Sequence, residues 1–233
     1  MKIGFLSDVH GNIYALEKCL SYLQRIPVDR IYFLGDAVGY YPDCVDVLKR
    51  LIKDNIHCLL GNHEAMLLGN LAYKEVNEKV YQFERIRNEV PAEILDFIQK
   101  LSPHYEFNID GRRIKLMHGG PSNFLTQYIY PENNLDEFAN KPFDFYFMGH
   151  THYPFIKEIK GTKVVNVGSC GMPRDYGIFS SFALLNTENW EVEIMRIQMD
   201  EDVLLEKFRY FIHESVFELY KRKPDFYIGK LVE

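Results

Sequence analysis

The chain has 233 residues, of which 47% are hydrophobic and 26% are charged, and its formal net charge is −6 at pH 7. This composition is typical of a globular protein with a well-buried core, and the negative charge argues against general nucleic-acid binding. No segment approaches the roughly 20 apolar residues that cross a membrane. Strand-like sequence begins at Lys2 without a signal peptide before it, so we expect a cytoplasmic protein.

The first sixty residues alternate between apolar runs and amphipathic segments. The apolar runs predict strands at 2–7, 30–34 and 56–60, and leucines at helical spacing predict helices at about 12–25 and 43–54. Strands that alternate with helices in this way are typical of parallel βαβ units with right-handed crossovers.

Residues 64–101 interrupt this alternation and are predicted to be mostly helical. Apolar residues recur at helical spacing, and Pro91 suits the start of a helix. The segment follows directly after Asn62 and His63 and contains none of the candidate metal ligands described below. We therefore expect a helical insertion that caps the site.

After Pro103 the chain is rich in strands. The pair Asp110-Gly111 predicts a hairpin between strands at 104–109 and 113–117. A short helix is predicted at about 134–140, and further strands are predicted at 144–148, 154–159, 163–167, 179–186 and 190–197, followed by a helix at 202–221. This number of strands favours two packed sheets with helices outside over one doubly wound sheet.

Five of the apolar runs end in side chains that bind metals. These side chains are Asp8, His10, Asp36, Asn62, His63, His118, His150 and His152. Because ligands bind in the crevice outside the strand ends, the pattern indicates one sheet edge that carries all of them. Manganese, iron, cobalt, nickel and zinc accept such a mixed nitrogen–oxygen set. Calcium prefers oxygen alone, and structural zinc usually recruits cysteine.

The spacing of these residues suggests hydrolysis of a phosphoester. Asp8 and His10 are two residues apart, so both side chains can hold one cation, and Asp36 can bridge two cations with its two oxygens. Two cations about 3.5–4 Å apart can hold a bridging hydroxide and bind phosphoryl oxygens. His63 directly follows Asn62, and neighbours on a turn do not easily face one metal. His63 is therefore free to contact the substrate as a general acid or hydrogen-bond donor.

Taken in order, the motifs resemble those of a known family. They are Asp8-Val-His10-Gly11-Asn12, Gly35-Asp36, Gly61-Asn62-His63-Glu64, His118-Gly119 and Gly149-His150-Thr151-His152. This series is similar to that of the calcineurin-like metallophosphoesterases. The resemblance implies one α/β domain over residues 1–233, a four-layer αββα sandwich of two mixed sheets flanked by helices.

The resemblance also implies a binuclear centre of two divalent transition-metal ions. We expect manganese first, with iron, nickel, cobalt and zinc as alternatives. The resemblance makes His63 the catalytic histidine. It assigns one metal to Asp8, His10, Asp36 and His152, and the other to Asp36, Asn62, His118 and His150.

The implied function is hydrolysis of a phosphodiester or phosphomonoester, with a small phosphorylated or nucleotide substrate, by a metal-bridging hydroxide. Alternatives are a catalytically silent interaction scaffold with the same fold, or a nuclease. Many protein phosphatases of the family have Asp-Arg-Gly after the bridging aspartate, whereas this chain has Ala-Val-Gly39-Tyr40-Tyr41. This stretch looks more like a small prokaryotic subgroup of phosphodiesterases and dinucleoside polyphosphate hydrolases. The sequence does not indicate an oligomeric state.

Several further residues are candidates to shape the pocket. Tyr40 and Tyr41 can stack on a base or simply pack in the loop, and Arg174 can bind a phosphate or lie on the surface. The aromatic residues of the 121–130 loop suit either a base or a hydrophobic cap; they are Phe124, Tyr128 and Tyr130. None of the four cysteines has zinc-site spacing, and Cys170 is either a buried thiol or a residue that lines the site.

Overall fold

The strands of the computed structural model, which describes residues 1–139 and 141–233, form two mixed sheets. The first contains β1 (Lys2–Leu6), β2 (Arg30–Phe33), β3 (His57–Cys58), β9 (Phe179–Asn186), β10 (Glu191–Gln198) and β11 (Lys230–Val232). The second contains β4 (His104–Ile109), β5 (Arg112–Met117), β6 (Phe145–Met148), β7 (Phe155–Ile159) and β8 (Thr162–Asn166). The strand orders are β11-β10-β9-β1-β2-β3 and β4-β5-β6-β8-β7.

Helices cover the outer faces of both sheets. They are α1 (Ile13–Arg25), α2 (Cys44–Lys53), α3 (Asn62–Leu67), α4 (Glu78–Tyr81), α5 (Phe83–Glu89), α6 (Ala92–Gln99), α7 (Asp136–Ala139), α8 (Glu201–Phe208) and α9 (Glu214–Tyr220). None of the helices in the described part of the chain is long and apolar enough to cross a membrane.

The two sheets pack face to face, and alternation along each strand divides its side chains between two cores. In β1, Ile3 and Phe5 face the second sheet, and Phe5 stacks on Phe147 with ring centroids 3.9 Å apart. Leu6 faces the other way, into the core formed with the helices. On the far side, Phe138 of α7 packs against Tyr146 of β6. The predicted fold of two mixed sheets flanked by helices is confirmed.

The pairing of the first three strands follows the prediction from sequence. β1 pairs parallel with β2, and β2 pairs parallel with β3, so the carboxyl ends of these strands meet at one edge. The hairpin between β4 and β5 is confirmed, because both residues of the Asp110-Gly111 turn have positive φ. The 64–101 segment is helical, as predicted, but is divided into four short helices and a 3₁₀ turn.

Three predicted elements differ by more than one residue at an end or are divided. β3 ends at Cys58 because the Leu60 N–H donates to the carbonyl of Ser102 instead of to a strand. The predicted helix at 202–221 is two helices, because the His213 side chain caps α9 by accepting the Ser215 N–H. The helix predicted at 134–140 begins at Asp136, and its last predicted residue, Asn140, lies outside the described residues.

Candidate metal centre

All eight candidate residues meet at the strand ends, where the edges of both sheets adjoin. The donor atoms form three buried groups, and within each group the atoms lie within 4.8 Å of one another. The groups are Asp8, His10 and His152; His10, Asp36 and His63; and Asp36, His118 and His150. Asn62 joins them through Oδ1, which lies 2.9 Å from His118 Nε2. Residues far apart in sequence thus form one continuous cluster.

The backbone at this cluster is turned sharply after β1, β2 and β6. Positive φ values between 52° and 67° occur at Asp8, His10, Asp36, His150 and His152. This left-handed conformation is uncommon for residues other than glycine and stores strain that the surrounding structure must offset. The neighbouring loop must also approach closely, because a Cβ atom on Gly61 would collide with Asp36 Oδ1.

Backbone carbonyls orient three of the histidine rings. A carbonyl oxygen can only accept a hydrogen bond, so Nδ1 of each ring carries the hydrogen and a neutral ring presents the lone pair of Nε2 to the cluster. The pairs are His10 Nδ1 with Val38 O at 3.0 Å, His118 Nδ1 with Leu34 O at 2.9 Å, and His152 Nδ1 with Met172 O at 2.7 Å.

The first group of donors fits a divalent cation. His10 Nε2 and His152 Nε2 lie 3.1 Å apart, although both present lone pairs when their rings are neutral. Asp8 Oδ1 lies 3.2 Å from His152 Nε2 and is buried without a hydrogen-bond partner among the described residues. Converging lone pairs repel one another unless positive charge lies between them, and a mixed nitrogen–oxygen set suits a transition metal.

A second group of donors adjoins the first through Asp36. Asp36 Oδ2 lies 3.4 Å from His118 Nε2 and 3.7 Å from His10 Nε2, so one carboxylate faces both groups. In this group His150 Nε2 is buried, and no hydrogen-bond partner for it exists within the described residues. This donor set also fits a divalent metal.

Burial and mutual charge determine the protonation of the metal-free cluster. Burial lowers the pKa of His63 to about 4 and that of His150 to about 3, so both rings are neutral at pH 7. Burial opposes charge on Asp36 and His118 as well. Their mutual attraction outweighs it, so the pKa of Asp36 falls well below its usual value and that of His118 rises to about 9. Metal binding at His118 must therefore release a proton.

Glu64 holds the loop that carries Asp36, a role that the sequence analysis missed. Its buried carboxylate accepts four backbone N–H groups: Asp36 at 2.8 Å, Ala37 at 2.7 Å, Val38 at 3.1 Å and Gly61 at 2.9 Å. Burial, followed by the charge of Asp36, raises the pKa of Glu64 to about 7. A glutamate three residues after a helix N-cap is a known capping signal and was available in the sequence.

His63 lies in an aromatic cage on the other side of Asp36. Its backbone N–H donates to Asp36 Oδ1 at 2.9 Å. Its ring stacks on Tyr40 at 5.1 Å and meets Tyr81 edge-on at 4.7 Å and Phe83 at 5.4 Å. Tyr81 and Phe83 belong to the 64–101 insertion, so this segment does cover the site on the His63 side.

The two tyrosines that follow Gly39 have different surroundings. Tyr40 lines a cavity beside the cluster. Tyr41 is fully buried in the helical core, and its hydroxyl lies 2.5 Å from that of Tyr220. No face of the Tyr41 ring is open to a base, so the stacking role predicted for Tyr41 is wrong. The two tyrosines are adjacent in sequence but have different surroundings, because the backbone turns at Tyr40, where φ is 64°.

The aromatic residues of the 121–130 loop also separate. Tyr128 lies over His150 with ring centroids 4.1 Å apart and is 51% exposed, and Tyr130 stacks beside it. Phe124 instead packs on His104 and Lys115, away from the cluster. Cys170 does not line the cavity, because it is fully buried and its Sγ contacts that of Cys19 at 3.4 Å.

A cavity of about 670 Å³ opens beside the cluster. It is large enough for a nucleotide-sized ligand. Residues from six separate segments line it: Tyr40, Asn77, Val80, Tyr81, Tyr130, Pro131, Glu132, Tyr153, Met172, Arg174, Ser215, Val216, Leu219 and Arg222. Arg174, predicted to bind phosphate, is thus placed in the wall of this cavity.

Comparison with known proteins agrees with the fold. A calcineurin-like phosphoesterase superfamily domain matches residues 1–190. A protein of uncharacterized function from Methanocaldococcus jannaschii is 27% identical over 225 residues, which cover 88% of this chain and 90% of that protein. The symmetrical bis(5'-nucleosyl)-tetraphosphatase of Pseudomonas fluorescens is 32% identical over 126 residues, but these cover only 49% of this chain and 41% of that enzyme.

Two solved structures share the whole fold. A metallophosphoesterase from Sphaerobacter thermophilus superimposes with a TM-score of 0.76 at 24% identity, covering 95% of this chain and 98% of its own. A hypothetical protein from Pyrococcus horikoshii OT3 gives a TM-score of 0.80 at 18% identity, with 99% of each chain covered. The chain therefore belongs to the calcineurin-like phosphoesterase superfamily and is a hydrolase of phosphoric esters.

Proposed function

We propose that the protein is a binuclear, metal-dependent phosphoesterase whose substrates are small and of nucleotide type. The observation that carries the proposal is the position of Asp36, whose carboxylate faces His118 on one side and His10 on the other. One metal would be held by Asp8, His10, Asp36 and His152, and the other by Asp36, Asn62, His118 and His150. Manganese is our first candidate, followed by iron, nickel, cobalt and zinc.

The chemistry divides between the metals and His63. When bound, two such metals supply positive charge for the phosphoryl oxygens and a water of lowered pKa. Burial keeps the His63 ring neutral, so one of its nitrogens carries a hydrogen that it can donate. We propose that the neutral ring donates a hydrogen bond from this N–H to the phosphoryl group, or that the ring, once it has taken up a proton, transfers that proton to the leaving oxygen. The aromatic cage and the bond from its backbone to Asp36 hold the ring in place.

Two observations support a nucleotide-type substrate. The chain is similar over about half its length to a bis(5'-nucleosyl)-tetraphosphatase. Tyr128 offers an exposed ring next to His150, and such rings stack on bases of any sequence. We also propose that residues 1–233 form one domain, because α8 and α9 contribute Phe208 and Tyr220 to the core that contains Leu6.

The proposal is tested by restoring metals to the metal-depleted protein. We expect hydrolysis of bis-p-nitrophenyl phosphate or p-nitrophenyl phosphate after addition of manganese, nickel or cobalt, and none in the presence of a chelator. His63→Asn should lower turnover by at least about 100-fold, the usual contribution of a general acid. His57→Asn, which changes an exposed histidine of β3, is the matched control. Absence of hydrolysis with every metal would contradict the proposal.

A further inference from the structure

The cavity beside the metal centre extends away from it toward the end of the chain. On its inner side lie Tyr40, which stacks on His63, and Met172, whose carbonyl accepts the Nδ1–H of His152. Its outer side is formed by α9 and by Arg222. These residues follow residue 190, where the family match ends, so this wall is a feature of the chain beyond the matched domain.

Two arginines line this cavity at successive distances from the metal centre. The backbone N–H of Arg174 donates to the carbonyl of His152 at 3.3 Å. Arg222 Nη1 donates in turn to the carbonyl of Arg174 at 3.0 Å and to the hydroxyl of Tyr153 at 3.3 Å. Arg174 is thus bonded to a candidate ligand and Arg222 is bonded to Arg174, so Arg222 lies farther from the candidate ligands.

Both guanidinium groups lack an acidic partner in the described part of the chain. The Arg222 guanidinium donates to a carbonyl and a hydroxyl, which do not neutralise its charge, and the Arg174 guanidinium has no hydrogen-bond acceptor among the described residues. Arg196, in the same region, shows the contrast: it is buried and holds both oxygens of Asp175, at 2.6 and 2.9 Å. The described cavity lining contains one carboxylate, the exposed Glu132, against two arginines. The cavity wall is therefore electropositive on balance.

The spacing between the two arginines is fixed by the core below them. The Arg196–Asp175 pair anchors the segment that follows Arg174. The Gly177 N–H donates to the carbonyl of Arg222 at 2.8 Å, and a Cβ atom on Gly177 would collide with the carbonyl of Leu219. This packing sets the distance between the two backbone positions, and the bonds to Arg174 and Tyr153 orient the Arg222 guanidinium, which lowers the entropic cost of binding an anion.

We propose that Arg174 and Arg222 form a second anion subsite, which binds a phosphate next to the one that is hydrolysed. The preferred substrates are then nucleotides with at least two phosphates. Arginine suits this role because its planar group donates two parallel hydrogen bonds to phosphate oxygens. The substrate preference rests on the proposed function, because it requires hydrolysis at the metal centre. The subsite itself consists of residues outside the candidate ligand set.

The kinetic test compares a substrate with several phosphates against one with a single phosphate. We expect Arg222→Gln to lower the ratio of kcat/KM for ATP to kcat/KM for p-nitrophenyl phosphate by about 10-fold, the usual effect of one charged hydrogen bond. Arg222→Lys should recover part of the ratio because it keeps the charge. Lys223→Gln removes an equal charge from the next residue, which pairs with Glu201, and should leave the ratio unchanged.

A binding measurement makes the subsite testable without turnover. Calorimetry with the non-hydrolysable β,γ-methylene analogue of ATP should show about 10-fold weaker binding to Arg222→Gln than to the wild type, and a smaller change for AMP. Equal losses for both ligands, or no loss for either, would overturn the subsite. The expected selective loss in Arg222→Gln, together with the absence of hydrolysis of any ester, would instead contradict the proposed function and leave the subsite supported. Thermal unfolding of each variant checks that the fold is retained.

Discussion

Two regions differ in how their side chains are held. The floor of the candidate site consists of the eight clustered candidate residues, and the wall consists of the residues that line the cavity beside them. On the floor, Asp8, His10 and His118 are almost fully buried, and backbone groups orient their side chains. On the wall, Glu132 and Arg222 are exposed, and the Arg222 guanidinium is held only by bonds to a carbonyl and a hydroxyl. On this basis we propose that the floor provides the chemistry, whereas the wall selects the substrate.

The largest effect is expected from a change in the floor. Asp36→Asn keeps the shape of the side chain but removes the charge that faces both groups of donors. We expect kcat/KM for p-nitrophenyl phosphate to fall by at least about 1000-fold, together with loss of bound metal, because charge stabilisation of the transition state depends on this centre. Metal analysis and initial rates measure the two effects.

The matched control for that change is Asp46→Asn. Asp46 is an exposed carboxylate in the first turn of α2, so its loss should alter neither metal content nor rate. Near-normal activity of Asp36→Asn would show that hydrolysis does not depend on a carboxylate shared by two metals. The proposed assignment of the chemistry to the floor would then be wrong.

The next effect concerns pH and the metal-free protein. Burial lowers the pKa of His63 from 6.5 to about 4, so the unfolded chain binds a proton at His63 more readily than the folded chain. Stability from this source is complete above about pH 6.5 and is lost as the pH falls toward 4. Between pH 7 and pH 5 we expect the wild type to lose about 2 kcal/mol more free energy of unfolding than His63→Asn. Urea titrations at both pH values measure this difference, and equal losses would show that the ring is not buried as a neutral group.

How far the sequence predicts the molecule depends on whether the signal is local. The β4–β5 hairpin was predicted correctly because Asp110 and Gly111 alone determine the turn. The floor was predicted for a similar reason, since each ligand directly follows an apolar strand. The early end of β3 depends on a bond from Leu60 to Ser102, about forty residues away. No local pattern contains that information.

The wall illustrates the same limit for function. Arg222 reaches the cavity only because α9 packs on Gly177 and because the Arg196–Asp175 pair fixes the intervening segment. Neither contact is visible in the residues next to Arg222 in sequence. Tyr41 failed as a prediction for the converse reason: its motif was local, but its partner, Tyr220, comes from a distant helix.

A moderate effect is expected where the insertion contacts the floor. Tyr81→Leu removes the ring that meets His63 edge-on at 4.7 Å, which allows the imidazole to move. We expect kcat to fall by about 10-fold with metal content unchanged, because small displacements of a catalytic group are costly. Tyr210→Leu, at a position that is 84% exposed, is the control. A loss of metal in Tyr81→Leu would instead assign the insertion to the metal site.

The smallest effect is expected for Tyr41→Phe. The change leaves the Tyr220 hydroxyl without its 2.5 Å partner in a buried position, which should cost about 1 kcal/mol in the free energy of unfolding. The ratio of rates for nucleotides and p-nitrophenyl phosphate should not change, because Tyr41 lies in the core and outside the wall. A changed ratio of rates would indicate that Tyr41 contributes to substrate binding after all.

The central claim, that two metals lie on the floor and His63 acts beside them, is tested most directly by the metal content of His63→Ala. Mass spectrometric metal analysis should find about two equivalents per chain, as in the wild type, while hydrolysis falls by at least about 100-fold. Loss of one equivalent together with the activity would make His63 a metal ligand, which its place in a donor group with His10 and Asp36 also permits, and would contradict the proposed division of roles.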